Sequence, residues 1–184
     1  MFLEVVFTLK INSLWHMKQL VKKDSIKEWK KRLPKRSNKL RVGFCWKGRT
    51  REIPFHYMTD LIKNNPQYEW ISLQIDASPD ENVQLEAAGV RLFPGSISDF
   101  TDTAALVMAM DVVLTVDTAV AHLSGALGRP TWLMLNWFAH CWRWLVNRDD
   151  SPWYSTMRLF RQPAMGDWHS VTQRVSKFLS WMKV

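Results

Sequence analysis

Residues 111–135 read "DVVLTVDTAVAHLSGALGRPTWLML", and this stretch decides the fold. An apolar run stops at Asp117, and a stretch of small residues then closes on Gly128. The pattern predicts a buried strand over 111–116, a helix that ends at Gly128 and a second strand over 130–135. A strand, a helix and a further strand joined by short links form a βαβ unit, which is typical of a parallel sheet.

The same alternation continues on the amino-terminal side of this unit. Short apolar runs predict three more strands, over 39–46, 69–75 and 90–93. Cap and stop residues predict further helices, which begin at Asp24 or Ser25, at Pro54, at Ser78 and Pro79, at Thr101 or Asp102, and at Asp167. The aromatic stretch 136–162 is expected to be mostly loop. We therefore predict a Rossmann-like α/β fold, with a parallel sheet of five or six strands, helices on both faces and a ligand site at the carboxyl ends of the strands.

The net charge of +8 is concentrated at the amino terminus. Residues 1–41 hold 12 of the 25 Lys and Arg residues but 3 of the 17 Asp and Glu residues, so the remainder is close to neutral. A solvated basic helix face explains this distribution, and contact with an anionic membrane surface or an acidic partner is the alternative. No base-reading module follows, so we expect no nucleic-acid binding. We divide the chain into a basic extension, 1–38, and a domain, 39–184.

Cysteine usage and hydropathy indicate the compartment. Cys45 and Cys141 fit no metal or redox spacing, and two free thiols are typical of a reducing cytoplasm. No apolar run reaches the ~18–20 residues that span a bilayer. The apolar start carries Glu4 and no preceding basic residue, which argues against a signal peptide. We expect a cytoplasmic protein, with peripheral contact at the inner face of the membrane through the basic extension.

The turn at Asp117 and Thr118 indicates an anion site. The unpaired N–H groups of a helix's first turn and the helix dipole attract phosphate, and the small Ala119 would let a ligand approach closely. His122 falls in the same turn and could donate to a phosphate oxygen. The alternative is structural, with Thr118 as a simple N-cap and His122 packed against a neighbour. Dinucleotide-binding, Walker, metalloprotease, nucleophile-elbow and Asp-x-Asp motifs are all missing from the sequence.

The 111–135 stretch resembles the donor-binding motif of the heptosyltransferase-like glycosyltransferases of family nine. It is still more similar to the related glycosyltransferase domain that follows tetratricopeptide repeats in bacterial proteins. The run "WRWLVNRDDSPWYSTMRLFRQPAMGDW" (142–168) is similar to a second motif of these domains, and "LRVGFCWKG", "REIP", "ISLQ" and "DFTDTAAL" match in order upstream. The resemblance covers about residues 25–184. It implies a GT-B fold, of which this chain would be the single C-terminal, nucleotide-sugar-binding lobe.

Carried over position by position, the resemblance implies a donor site. Asp117, Thr118 and Ala119 would form the diphosphate loop, and His122 would contact a phosphate. Arg51 would neutralise phosphate charge in place of a metal. The other implied donor-site residues are Lys47 and Arg49 as competitors of Arg51, Trp46 and Gly48 in the loop over the donor, Gln74 near the ribose or base, and Asp102 and Thr103 beside the nucleoside or as a structural cap. No metal or cofactor is expected, and no catalytic base is identified.

Three departures from the family pattern bear on this site. The loop between Trp46 and Arg51 is shorter than usual, which weakens the assignment of Arg51. Cys141 stands where relatives often have Asp, and Ser155 replaces a Pro.

These features predict a glycosyltransferase donor-binding domain that binds a nucleoside-diphosphate sugar for metal-independent transfer. The acceptor lobe of relatives has no counterpart in the first ~40 residues, because a lobe needs on the order of 100 residues. The expected partners are the nucleotide sugar, that lobe or a partner chain, an acceptor that is a glycan, lipopolysaccharide or protein, and a second copy of this chain through an exposed tryptophan-rich patch. Two alternatives stay open: a non-catalytic nucleotide-binding or interaction module, and another GT-B enzyme such as a nucleotide-sugar epimerase.

Overall fold

The protein is built on a parallel five-stranded sheet, in a computed structural model that describes residues 21, 23–48, 51–137 and 142–182. The strands are β1 (Arg41–Cys45), β2 (Glu69–Ser72), β3 (Val112–Thr115), β4 (Thr131–Leu135) and β5 (Met157–Arg161). Their order across the sheet is β2-β1-β3-β4-β5, and each neighbouring pair is parallel. The predicted Rossmann-like α/β fold is confirmed.

The described residues also form six α-helices and one short 3₁₀ turn. The helices are α1 (Lys23–Arg32), α2 (Phe55–Lys63), α3 (Pro79–Ala87), α4 (Phe100–Met108), α5 (Ala119–Ala126) and α6 (Trp168–Leu179), and the 3₁₀ turn covers Trp142–Trp144. The core contacts place α2, α3 and α6 on one face of the sheet and α1, α4 and α5 on the other. Helices therefore cover both faces, as a parallel sheet requires.

Alternating side chains of each strand supply the two halves of the core. Val42, Phe44, Val112 and Leu114 are fully buried on the α2 and α6 side, and Val113 is fully buried on the α1 and α4 side. A sheet that is buried on both faces needs continuous apolar strands, which is why these runs lack a polar alternation.

One predicted strand is wrong, and one strand was missed. Residues 90–93 contribute only a single bridge, from Arg91 to Ile71, since Pro94 and Gly95 turn the chain away at once. The missed strand is β5, inside the stretch expected to be mostly loop. It pairs with β4 along its whole length. Buried and exposed residues alternate only over its first residues, so the sequence pattern of a strand is too short to be recognised within a stretch rich in tryptophan.

The helix caps were predicted with mixed success. Ser78 accepts from the Glu81 amide at 3.2 Å, and Glu81 accepts in return from the Ser78 amide, so this predicted start is confirmed as a capping box. The α4 helix is instead capped by Asp99, whose carboxylate accepts from the Thr101 amide at 2.7 Å, since it lies before the first helical residue. The α1 helix begins at Lys23, before either predicted cap.

The helix α1 is attached to the domain through Trp29. Its indole Nε1 donates to Asp102 at 3.0 Å, and its ring meets Phe93 edge-on at 5.2 Å. Arg36 pairs with Asp111 at 2.7 Å just before β3. No helix in the described part of the chain is long and apolar enough to cross a membrane.

The strand order creates a switch point between β1 and β3. The chain moves outward from β1 to β2 in one direction and from β3 to β4 in the other. The loops that follow β1 and β3 therefore diverge, and a crevice opens between them at the carboxyl edge of the sheet.

Candidate functional site

A cleft of about 430 Å³ lies at this switch point. The residues that line it come from the last residue of β1, from the loops after β1, β2 and β3 and from the first turns of α4 and α5: Cys45, Lys47, Gly48, Arg51, Leu73, Gln74, Ile75, Asp76, Phe100, Thr103, Asp117, Thr118, Ala119 and Val120. Eight of the twelve predicted site residues are among them. The volume is in the range of small-molecule sites.

A hairpin after β1, whose described arms are residues 46–48 and 51–53, forms one wall of the cleft. The Gly48 amide donates to the Arg51 carbonyl at 2.7 Å, and the Ile53 amide donates to the Trp46 carbonyl at 2.9 Å. A Cβ atom on Gly48 would lie 2.7 Å from Thr118 Cγ2. This position therefore requires glycine, because the hairpin rests directly on the start of α5.

The hairpin directs Arg51 toward the loop after β3. Its Nε lies 3.1 Å from Asp117 Oδ2, and the side chains are 34% and 6% exposed respectively. The carboxylate thus holds a cation at the mouth of α5, where the predicted diphosphate loop lies. The short loop noted in the sequence still brings Arg51 to the cleft.

Lys47 is a second cation of the same wall. Its Nζ lies 2.7 Å from Glu81 Oε2, so it is attached to the amino terminus of α3. The charges of both cations are compensated by neighbouring carboxylates. The net charge of the cleft is therefore low, and an anion would be held by oriented donors, which are the N–H groups of α5 and the Arg51 guanidinium.

Gln74 organises the junction of β1 and β2. Its Oε1 accepts from the Trp46 and Lys47 amides, both at 3.2 Å, and from Cys45 Sγ at 3.1 Å. Its Nε2 donates to the Lys47 carbonyl and to Asp76. The Gln74 side chain lines the cleft, and its hydrogen bonds hold the segment 45–47 in place. Its contact with a ribose or base stays a prediction.

Cys45 is buried below the cleft and has the character of a structural thiol. Burial raises the pKa of Cys45 to about 11, against hydrogen bonds that lower it. The thiol is therefore protonated near neutral pH and is a poor nucleophile.

The amino terminus of α5 opens into the cleft. Thr118 occupies the N-cap position with extended backbone, but its side chain makes no cap hydrogen bond and instead lies 3.0 Å from Thr115 Oγ1. Ala119, the first helical residue, is exposed. The first-turn amides of α5, which the Thr118 side chain does not cap, thus lie beside Arg51, and this combination is the chemistry that binds oxyanions.

His122 lies in the same turn but is not among the residues that line the cleft. Its Nδ1 is 3.0 Å from the Tyr154 hydroxyl, and its ring stacks on Trp144 at 5.0 Å and 20°. Burial holds the pKa of His122 below its ordinary value, opposed by Asp117. The His122 ring is therefore packed against neighbouring side chains, as the structural alternative predicted. A contact of His122 with a phosphate stays a prediction.

The remaining predicted residues have other surroundings. Trp46 is buried in the core, with its indole N–H 3.4 Å from Glu81. Asp102 accepts from Trp29 and from the Ser98 amide, so it joins α1 to α4. Arg49 and Cys141 lie outside the described residues.

Two exposed apolar side chains at the rim were missed by the sequence analysis. Ile75 is 73% exposed and Phe100 is 62% exposed, and both line the cleft. A smaller depression of about 190 Å³ shares Gln74 and Ile75 and extends toward Phe93 and Ile97. The signal available in the sequence was an apolar residue in the loop after β2, for Ile75, and an apolar residue directly after the cap Asp99, for Phe100.

The sequence also predicts an exposed tryptophan-rich patch. The segment 142–146 carries Trp142 and Val146, which are 66% and 68% exposed, and Arg143 lies over the Trp142 ring at 4.8 Å. The Trp144 ring between them is fully buried. The patch therefore exposes Trp142 and Val146 but not Trp144, and self-association through it stays a prediction.

Comparisons with known proteins identify the fold. No family model matches the chain. The chain is 30% identical over 166 residues to Protein FlbA of Caulobacter vibrioides, a match that covers 84% of this chain and 27% of FlbA. Among solved structures, E. coli ADP-heptose lps heptosyltransferase II superposes with a TM-score of 0.63 at 18% identity, over 87% of this chain and 51% of that one. A family 9 glycosyltransferase from Veillonella parvula superposes with a TM-score of 0.60 at 8% identity, over 89% and 46%.

E. coli heptosyltransferase WaaC with ADP-2-deoxy-2-fluoro heptose superposes with a TM-score of 0.56 at 17% identity, over 84% of this chain and 47% of that one. The fold of this chain is therefore heptosyltransferase-like, as the sequence motifs indicate. The chain spans about half of each of these solved structures and about a quarter of FlbA.

Proposed function

We propose that this chain is the donor-binding domain of a glycosyltransferase and that the cleft between β1 and β3 binds a nucleoside-diphosphate sugar. The observation that carries the proposal is the cleft itself, where the first turn of α5 faces two cations, Arg51 and Lys47, at the switch point of a parallel sheet. The heptosyltransferase-like fold makes a sugar-nucleotide donor the natural ligand class for such a cleft.

The diphosphate would sit at the amino terminus of α5. Backbone N–H groups of the first turn would donate to phosphate oxygens, and exposed Ala119 leaves room for close approach. Arg51 would supply the charge that a metal supplies in other transferases, since Asp117 already holds its Nε at the mouth of the helix. No group of three or more metal-ligating side chains occurs among the described residues.

The nucleoside would lie across the rim toward β2. Ile75 and Phe100 offer apolar surface to a base or ribose, and the adjoining depression near Ile97 provides further room. We propose that the acceptor and the catalytic base come from outside this cleft, since the chain spans about half of each heptosyltransferase structure. We therefore expect the isolated chain to bind the donor and to transfer no sugar on its own.

The proposal is tested by calorimetric titration of the full chain with UDP and with ADP, in buffer that contains a chelator. The informative variant is Ala119→Asp. An acidic residue in the first turn is favourable for a helix, so the unfolding free energy should stay equal or rise. The same carboxylate would occupy the phosphate position and repel it, so binding should be lost.

The matched control is His169→Asp, which places the same charge in the first turn of α6, outside the cleft, at an exposed position. It should bind nucleotide as the unmodified chain does. Binding that survives in Ala119→Asp would show that the diphosphate does not use α5, and absence of UDP and ADP binding by the unmodified chain would refute the proposed donor site.

A further inference from the structure

The segment 151–154 lies against α5 and presents one hydroxyl to it. The Tyr154 ring packs on the helix at Gly125, where a Cβ atom would come within 2.6 Å of the ring. The buried Ser151 hydroxyl accepts from the Trp153 and Tyr154 amides at 3.2 and 3.3 Å. The phenol is thus held in a fixed position relative to the helix.

The hydroxyl of Tyr154 meets one particular nitrogen of His122. Its oxygen lies 3.0 Å from Nδ1, while the imidazole ring is stacked on the buried Trp144 ring. The stack fixes the ring plane, and the hydrogen bond fixes the rotation within that plane. The nearby charged groups are Asp117 and Arg143, which act on the imidazole in opposite directions.

We infer that Tyr154 is a positioning residue, which donates its hydroxyl proton to Nδ1 and thereby holds His122 as the neutral tautomer with its proton on Nε2. A phenol is the stronger donor of the pair and a neutral imidazole nitrogen the stronger acceptor. The hydrogen bond at one ring nitrogen decides where the ring proton resides. Burial keeps the pKa of His122 low, which supports a neutral ring.

This tautomer gives the site a directed donor without adding charge. The two nitrogens of an imidazole point in nearly opposite directions, so Nε2–H points away from Tyr154. Helical side chains also lean toward the amino terminus of their helix, which here is the cleft side. This inference rests on the proposed function, in which Nε2–H would donate to a phosphate oxygen.

The tautomer is tested first in the ligand-free full chain, with ¹⁵N-labelled histidine and two-bond ¹H–¹⁵N correlation spectra. We expect a neutral His122 with its proton on Nε2 and a hydrogen-bonded Nδ1 whose resonance shifts in Tyr154→Phe. A proton on Nδ1, or an unchanged Nδ1 resonance in that variant, would overturn the inference.

Binding is tested by a double-mutant cycle with ADP or UDP. Tyr154→Phe should weaken binding about 2- to 10-fold, the worth of one neutral hydrogen bond. The same substitution in a His122→Ala background should change nothing, because the effect acts through the imidazole. An equal loss in both backgrounds would refute the positioning role.

The matched control is Tyr68→Phe, which removes a buried hydroxyl that donates to the Leu179 carbonyl at 2.6 Å, far from the cleft. It should lower stability and leave binding unchanged. If the unmodified chain binds neither nucleotide, the proposed function fails, and the ligand-free spectra still decide the tautomer.

Discussion

Replacing Arg51 by alanine tests how the cleft holds an anion. The guanidinium is about one-third exposed and lies 3.1 Å from a carboxylate of Asp117 that is 6% exposed. A charge-assisted hydrogen bond to phosphate contributes about 1.5–3 kcal/mol, so the dissociation constant for UDP or ADP should rise roughly 10- to 150-fold. The loss of a half-buried ion pair should also lower the free energy of unfolding by about 1–3 kcal/mol.

Two further variants distinguish a direct contact of Arg51 with phosphate from neutralisation of the Asp117 carboxylate by Arg51. Arg51→Lys keeps the positive charge but loses the planar guanidinium, which can donate two parallel hydrogen bonds. Its affinity for the nucleotide should therefore lie between those of the alanine variant and the unmodified chain. Combining Arg51→Ala with Asp117→Asn removes both charges. If Arg51 contacts the phosphate, the double variant stays weak, whereas restored affinity would mean that Arg51 only offsets the carboxylate.

The assay is calorimetric titration beside urea unfolding at constant ionic strength. We expect Arg51→Ala to lower both the affinity for the nucleotide and the free energy of unfolding. Unchanged affinity together with lower stability would contradict a phosphate contact and would leave Arg51 as a structural partner of Asp117.

Three other outcomes follow from the geometry. Gly125→Ala should destabilise the fold by about 1–3 kcal/mol in urea unfolding, because the new methyl group meets the Tyr154 ring at 2.6 Å, and a gain in stability would contradict this packing. Burial raises the folded-state pKa of Cys45 from 9.0 to about 11, so the protonated thiol contributes about 2–3 kcal/mol to the free energy of unfolding below pH 9. This contribution is lost as the pH rises to 11. In Cys45→Ala, the free energy of unfolding should therefore depend less on pH between 9 and 11. Serine at both Trp142 and Val146 should change the free energy of unfolding by less than about 0.5 kcal/mol and reduce self-association in sedimentation velocity, while undiminished association would place the contact elsewhere.

The fold class was predictable because its signals are local. The apolar run before Asp117, the small-residue helix and the strand after Gly128 each follow from neighbouring residues, and together they define a βαβ unit. The Ser78 capping box was predictable for the same reason, since donor and acceptor lie three residues apart. The loops that meet at the cleft were also identified, because parallel strands place their carboxyl ends at one edge.

Other features depend on partners that are distant in sequence. The strand β5 could not be separated from its aromatic surroundings until β4 was beside it, because a five-residue edge strand has too little pattern of its own. Ile75 and Phe100 became candidates for the nucleoside only when β2 and α4 brought them to one rim.

By itself the sequence determined the α/β class, the order of most strands and helices, and the turn at Asp117 where a helix begins on small residues. Those features arise from apolar periodicity and cap chemistry, which act over a few residues. The tertiary structure alone decided which groups meet: Arg51 with Asp117, Lys47 with Glu81, and His122 with Tyr154. The residues of these pairs lie up to 66 positions apart in the sequence. Their contacts depend on the packing of whole elements, which no local pattern encodes.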